Sequence, residues 1–335
     1  NFVDTTVTLG AHNMAAGQAY DVKVWTSLPN GANDPDKTND STNKASFFTG
    51  MSGTYTVGSG GDFKSSVEAA QALSDRGMCG NVTLSYISGT YNEQFALRNI
   101  RKADPSYSLT LTSQTGVASD VVLTYPTSNT GDNYLLLVEG VDHVVIENLT
   151  LQRPGKDNLA IALDIEASND VIIRDNIIQA DSGSVASNTT GSRSGIYSED
   201  RSTENNVVIT RNTFTGNSNG IWFSGAKTFN TGLEISNNSF SVGYTAVFVE
   251  NATAPQIKQN YITRFDASTT STFYGISVFT IDGTIEISRN EVYGLMSVGY
   301  GIRLREVKSP ANNKGLVVNN MVEFNGSSTV YAYSL

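Results

Sequence analysis

Apolar and polar positions in the second half of this chain repeat around an asparagine. Val171-Ile172-Ile173-Arg174-Asp175-Asn176-Ile177-Ile178 is followed by Val207-Val208-Ile209-Thr210-Arg211-Asn212-Thr213-Phe214, Leu233-Glu234-Ile235-Ser236-Asn237-Asn238-Ser239-Phe240 and Ile285-Glu286-Ile287-Ser288-Arg289-Asn290-Glu291-Val292. Two looser copies end in Asn260 and Asn320. The third residue before each Asn is apolar (Ile173, Ile209, Ile235, Ile257, Ile287, Val317), and so is the second after it (Ile178, Phe214, Phe240, Ile262, Val292, Val322). Alternation on both sides of a polar corner predicts a strand, a bend and a second short strand. Subtracting positions 176, 212, 238, 260, 290 and 320 gives steps of 36, 26, 22, 30 and 30 residues, a solenoid period with variable insertions.

A bend inside a stacked coil leaves backbone N–H and C=O groups without an in-plane partner, and each such buried group costs about 1–3 kcal/mol. Asparagine carries a donor and an acceptor and tolerates left-handed backbone, so it suits the corner. Asn176, Asn212, Asn238, Asn260, Asn290 and Asn320 are therefore expected to stack as a ladder. Asn148 is one residue out of phase, which predicts an imperfect first rung.

A second strand precedes most copies: Gly195-Ile196-Tyr197, Gly220-Ile221-Trp222-Phe223, Ala246-Val247-Phe248-Val249, Gly275-Ile276-Ser277-Val278 and Gly301-Ile302-Arg303-Leu304. Two or three strands per turn with irregular loops resemble an all-β, right-handed parallel β-helix. Leucine-rich repeats also place Asn after alternating apolar residues, but they require Leu and near-constant length. Here β-branched and aromatic residues dominate and lengths vary.

Upstream, Tyr55-Thr56-Val57-Gly58-Ser59-Gly60-Gly61-Asp62-Phe63-Lys64-Ser65 leads into a helical pattern through Val67, Ala70, Leu73 and Met78. Ser65 or Ser66 is the expected N-cap and Gly77 the stop. Val82-Thr83-Leu84-Ser85-Tyr86-Ile87 then alternates as a strand into Gly89-Thr90-Tyr91-Asn92-Glu93. Residues 54–98, in this order, resemble the N-terminal cap and first coil of pectin methylesterase-like and pectate lyase-like β-helices. The resemblance implies a short helix closing the end of the solenoid. Residues 2–9 and 20–28 alternate as strands, with Ala15-Ala16-Gly17-Gln18 as a turn. The Asn/Asp-rich stretch from Pro29 to Asp40 resembles the hairpin before the last strand of immunoglobulin-like modules in secreted bacterial proteins. Residues 1–52 are thus expected to be the C-terminal part of an immunoglobulin-like β-sandwich, and 53–335 a β-helix. The combination resembles long surface proteins of Bacteroidota type.

Composition narrows the function. A formal net charge of −10 over 335 residues argues against nucleic-acid binding, and works against an uncomplicated grip on a polyanionic glycan unless a basic patch or cations intervene. One cysteine, Cys79, excludes an internal disulfide framework and is expected to act as a small buried hydrophobe. Cysteine scarcity fits an extracellular or cell-surface bacterial protein. No apolar run approaches a membrane span. The chain opens on an alternating strand and closes on Tyr331-Ala332-Tyr333-Ser334-Leu335, which reads as the first strand of another coil; a fragment of a longer polypeptide with flanking domains is expected.

Pectin methylesterases work with two aspartates, stabilising glutamines and an arginine on one parallel face. In this chain Leu159 stands where the first Gln belongs, Ser182-Gly183 meets the Gln-Asp pair, and Asn219 or Gly220 replaces the second Asp. The resemblance fails at each catalytic position. Neither His12 nor His143 has the Gly-His-Gly context of polygalacturonases. Oxygen ligands at Asp34, Asp36 and Asp40 make Ca2+ one reading of the turn-rich stretch, a solvated turn being the other. With Ile196, Ile221, Val247, Ile276 and Ile302 facing inward, the outward residues become Tyr197 and Glu199, Trp222, Phe248 and Glu250, Phe279, then Arg303 and Arg305. Flat rings stack on sugar faces and arginine reaches acidic groups, so this row is the candidate glycan track. Tyr244, Tyr274 and Tyr300 are expected to stack as a separate structural ladder. The leading expectation is a non-catalytic secreted or cell-surface stalk or adhesin segment that binds polysaccharide or cell-surface glycan on its outer face. A polysaccharide lyase or carbohydrate esterase is the alternative.

Overall fold

The structure is a computed structural model that describes residues 8, 10, 12–28, 31, 33, 35, 36, 38, 41–180, 190–198, 202–226, 229–265, 272–295, 299–325 and 330–334. The coils contribute short strands to three parallel sheets, and among the described residues the stacks hold ten, nine and nine strands, with the two-residue strand Asn230–Thr231 pairing beside the third. The first sheet runs from Met51–Val57 to Leu316–Val318, the second from Gly89–Asn92 to Met321–Asn325, and the third from Phe95–Arg98 to Val330–Ser334.

Register explains why the period-2 pattern was readable. Ile146, Ile173, Ile209, Ile235, Ile257, Ile287 and Val317 lie above one another in the first sheet. Leu151, Ile178, Phe214, Phe240, Ile262, Val292 and Val322 form the column of the second. Leu163, Ile196, Ile221, Val247, Ile276 and Ile302 form that of the third. These columns meet in one continuous apolar core. Phe214 and Phe240 stack inside it with centroids 4.5 Å apart.

The asparagine ladder forms as expected. Each side-chain amide donates to the next side-chain oxygen: Asn176 to Asn212 at 3.0 Å, Asn212 to Asn238 at 3.1 Å, Asn238 to Asn260 at 3.1 Å, Asn260 to Asn290 at 2.9 Å and Asn290 to Asn320 at 2.9 Å. The same oxygens accept the backbone N–H of the preceding rung. At the first rung Leu149 occupies the ladder position, and its N–H donates to Asn176 Oδ1 at 3.0 Å. Asn148 stands one residue outside it.

The left-handed residue is not the ladder asparagine but the one before it: Asn148, Asp175, Arg211, Asn237, Gln259, Arg289 and Asn319 have φ between 54° and 57°. The division follows from geometry, because the αL residue turns the chain and the next side chain is then aimed inward at the orphaned peptide groups.

A second polar stack lies at the turn from the third sheet back to the first. Asn169 donates its amide to Asp142 Oδ1 at 3.0 Å, Asn205 donates to Asn169 Oδ1 at 3.0 Å, and the Thr231 hydroxyl donates to Asn205 Oδ1 at 2.8 Å. Its donors point toward earlier coils, whereas those of the main ladder point toward later ones. Beside it Glu204 is fully buried, accepting from the Ser198 hydroxyl at 2.7 Å, the Ala167 N–H at 2.9 Å and the Ser202 hydroxyl. Burial pushes its carboxyl above the usual glutamate range, although the hydrogen bonds from Ser202, Ser198, Ala167 and Asn230 pull the other way.

The helix spans Ser66–Arg76; Ser65 caps it by accepting the Glu68 N–H at 3.1 Å, and Gly77 ends it at φ 70°. Its buried face is Ser66, Ala69, Ala70, Ala72 and Leu73; Val67 is exposed, and Met78 already belongs to the next strand. Glu93 also receives the Ser66 N–H at 2.7 Å, so the acid of the Gly-Thr-Tyr-Asn-Glu stretch serves the positive end of the helix. In the N-terminal part, Ala19–Trp25 and Ser41–Phe48 pair antiparallel. Most of the strand expected over residues 2–9 lies outside the described residues. Cys79 is exposed, not buried: it sits near the start of Met78–Tyr86, beyond the alternating stretch that faces the core, and its thiol reaches Gly50 O at 3.1 Å.

Candidate functional site

The third sheet presents three outward columns. Tyr197, Trp222, Phe248, Ser277 and Arg303 share one register row. Ser224, Glu250, Phe279 and Arg305 share the next. Asn219, Thr245, Tyr274, Tyr300 and Tyr331 share the third. Glu199 lies outside the described residues.

Earlier in the same sheet the face is roofed. Leu137 and Asp164 occupy the outward row of Tyr197 yet are buried. The covering loops are tied together by the Ser128–Leu159 bridge and by a hydrogen bond from the Asn133 amide to Ser192 O at 2.9 Å. Arg153 anchors them from below. Fully buried, it donates to Pro126 O at 2.9 Å and Ile161 O at 3.3 Å, and its guanidinium lies 5.7 Å from the Tyr125 ring centroid. Desolvation pushes its pKa down to about 10, with Tyr125 opposing. The roof ends at Gly191, where a Cβ would come within 2.5 Å of the Tyr197 ring and 2.7 Å of Trp222.

Beyond Gly191 the face opens into a cleft of about 280 Å³ lined by Trp222, Tyr244, Thr245, Phe248, Glu250, Tyr274, Ser277 and Arg303. Trp222 and Phe248 stack on each other at 4.0 Å and 18°. Their mutual faces are therefore consumed, and the free face of Phe248 looks over Ser277, a side chain too small to meet it. Arg303 follows on the far side of that gap. Its guanidinium lies 5.4 Å from the Tyr274 centroid and 5.1 Å from that of Tyr300, and it makes no hydrogen bond or ion pair with the described residues. Glu250 borders the gap, its Oε2 accepting from Ser224 Oγ at 3.1 Å. Arg305, the other arginine of the track, lies over Phe279 at 4.6 Å, outside the cleft.

The expected continuous track is thus divided. Tyr197 lies under the end of the roof; Trp222, Phe248, Glu250 and Arg303 come together; Phe279 and Arg305 form a separate pair. The tyrosine ladder is also revised. Tyr274, Tyr300 and Tyr331 stack at 5.2 Å per step, but Thr245 holds the equivalent register position and Tyr244 meets Tyr274 edge-on at 5.6 Å. This ladder is a wall of the cleft rather than a feature apart from it. Of the three suggested calcium ligands, Asp34 and Asp40 lie outside the described residues. Asp36 is exposed, and bonds from the Thr38 hydroxyl and N–H hold its carboxyl below the usual aspartate range. Among the described residues no group of three or more His, Cys, Asp or Glu side chains is placed to hold a metal.

The right handed beta helix region family matches residues 123–240. The fold is a right-handed parallel β-helix. Similar solved structures include a lacto-N-biosidase from Eubacterium ramulus, 8% identical over 81% of this chain and 68% of that one, with a TM-score of 0.53. An alginate lyase from Paenibacillus is 16% identical over 84% of this chain and 99% of that one at a TM-score of 0.47. A surface protein and adhesin of Streptococcus pneumoniae is 11% identical over 80% and 93% at 0.37. No curated protein matches the chain in sequence. At 8% identity the likeness to the lacto-N-biosidase is one of fold alone.

Sequence reasoning placed the rings and the arginine but missed the gap at Ser277 and the roof at Gly191. The Ser277 gap was legible in principle, since it is the one small residue between Phe248 and Arg303 at that register position. The roof was not, because it depends on how long insertions fold back.

Proposed function

We propose that this β-helix is a non-catalytic glycan-binding segment of a secreted or cell-surface bacterial protein, and that the cleft from Trp222 to Arg303 is its binding site. The reading includes an N-terminal immunoglobulin-like module within residues 1–52, the helix Ser66–Arg76 as cap of the solenoid over 53–335, and flanking domains of one long surface polypeptide of Bacteroidota type. The observation that carries the reading is the composition of the cleft: ring faces, hydroxyls, one arginine free to donate, and one carboxylate, Glu250. Rings and fixed donors on rigid strands are what sugar recognition uses. Glycoside hydrolysis by the usual route takes a pair of carboxylates across the scissile bond. Elimination takes a base beside a group that neutralises the uronate.

A glycan array probed with the whole chain and with Trp222→Ala and Phe248→Ala tests it. Retention of at least one glycan that both variants lose, with no release of reducing ends or unsaturated products from it with or without calcium, is the expected result. Unchanged binding by both variants would remove the cleft, and product release would replace the reading with the enzymatic one.

A further inference from the structure

Building on the glycan-binding reading, we infer that the cleft seats a single terminal sugar ring carrying a carboxylate or a sulfate, its apolar face on Phe248 and its anion on Arg303.

Phe248 and Arg303 lie two strands apart in the same outward row, with Ser277 between them. Strands in a sheet are spaced by about 4.8 Å, so two spacings leave room for one ring in the gap and for no second ring beside it. The cleft volume of about 280 Å³ is at the lower edge of small-ligand sites, which again suits one ring.

Trp222 and Phe248 lie nearly parallel at 18° and face one another along the coil axis. Their edges, not their faces, look toward solvent, and the one unoccupied face of the pair is the side of Phe248 that overlooks Ser277. A ring that stacks there enters edge-first from outside. A linear polymer lying along the sheet cannot turn one of its internal rings into that slot, and Gly191 against Trp222 blocks its passage on the other side. A chain end or a one-residue branch can enter.

Arg174 on the first sheet pairs with Glu147 at 2.6 Å, and Arg211 at the corner after it pairs with Asp175 at 2.7 Å. Arg303, like Arg289 and Arg305, has no carboxylate partner among the described residues, and of these three it is the one that lines the cleft, although the chain has ten more acids than bases by formal count. Tyr274 and Tyr300 hold its guanidinium without using its N–H donors, which leaves a planar fork ready for an anion. Glu250, at the border of the gap, is an acceptor for sugar hydroxyls. The net charge of −10 repels a polyanionic chain but tolerates one anionic ring.

A glycan array with four classes of probe tests this: glycans ending in a carboxylate-bearing ring, the same termini sulfated instead, the corresponding neutral termini, and polygalacturonate as an internal polyuronate. The expected result is binding of carboxylate- or sulfate-terminated probes over neutral ones by about tenfold or more, the two anionic classes telling which group Arg303 takes. Arg303→Gln should erase that preference, and Ser277→Phe, which fills the gap from an outward position, should abolish binding while the thermal transition stays in place. Equal binding of neutral termini, a preference for polygalacturonate over terminal acids, or undiminished binding by a folded Ser277→Phe would overturn this inference and leave glycan binding standing. Retention of no glycan at all would overturn both.

Discussion

Single residues in this fold are decided by which peptide groups they must satisfy. Asn238 shows the demand: its oxygen accepts the N–H of Asn212 at 2.9 Å and the Asn212 amide at 3.1 Å, while its own amide donates to Ile209 O at 2.9 Å and Asn260 Oδ1 at 3.1 Å. Asn238→Ala orphans groups on both neighbouring coils, so a loss of at least about 2 kcal/mol is expected in urea unfolding. Glu204 is the opposite case, a charge where none is easily held. Its raised folded pKa means that the native state keeps the proton more tightly than the unfolded chain. Its contribution to stability therefore falls as pH climbs from the ordinary glutamate value of about 4.3 through the folded value, and returns below it. Glu204→Gln should gain on the parent protein as pH rises from about 4.3 to neutrality, as read by urea midpoints across a pH series. A constant difference between the two proteins would remove the buried-charge account. The ladder asparagines were legible as letters in the sequence; Glu204 was not, because nothing in Thr203-Glu204-Asn205 distinguishes a buried acid from a solvated turn.

At the scale of the strand, the recurring Gly before the third-sheet Ile has a steric cause. At Gly220 a Cβ would lie 2.5 Å from Ala246 O and 2.6 Å from the Phe240 ring. The corner between the second and third sheets brings the chain against both the next coil and a core side chain. Gly220→Ala is expected to cost about 1–3 kcal/mol, measured as a shift of the thermal midpoint. Ala246 holds the matching place one coil later, so the demand varies from coil to coil. The strands themselves were legible because Ile, Val and Phe alternate with outward polar residues. The helix ends follow from Ser65 and Gly77, and of the pattern Val67, Ala70, Leu73 and Met78, Ala70 and Leu73 are buried, while Val67 is exposed and Met78 belongs to the next strand. Small residues such as Ala69 and Ala72 give a weak apolar signal, and tertiary packing selected them.

Across the whole molecule, each coil rests on its neighbours alone, so stability is expected to vary along the axis. The central coils from Ile173 to Asn290 have a closed core and a satisfied ladder, whereas Val22 and Trp25 of the antiparallel pair outside the stack are exposed. Hydrogen exchange should therefore be slower for the strand amides between Ile173 and Ile287 than for those of Ala19–Trp25. Equal protection of the two would contradict stabilisation by neighbouring coils. The same stacking makes the cleft rigid: Phe248, Ser277 and Arg303 are held by three successive strands, and their spacing is that of the sheet.

The sequence by itself determined the coil. Alternation, an amide at every corner and a tolerant period are local demands, and each coil states them again in its own residues. Only the tertiary structure decided the site. Whether a ring face is spent on another ring, whether a small residue opens a gap, and whether an insertion folds back as a roof depend on residues 25 to 60 positions apart meeting in register. Those meetings are set by how many residues each loop consumes and where it lies down, which a pattern of apolar and polar positions does not encode.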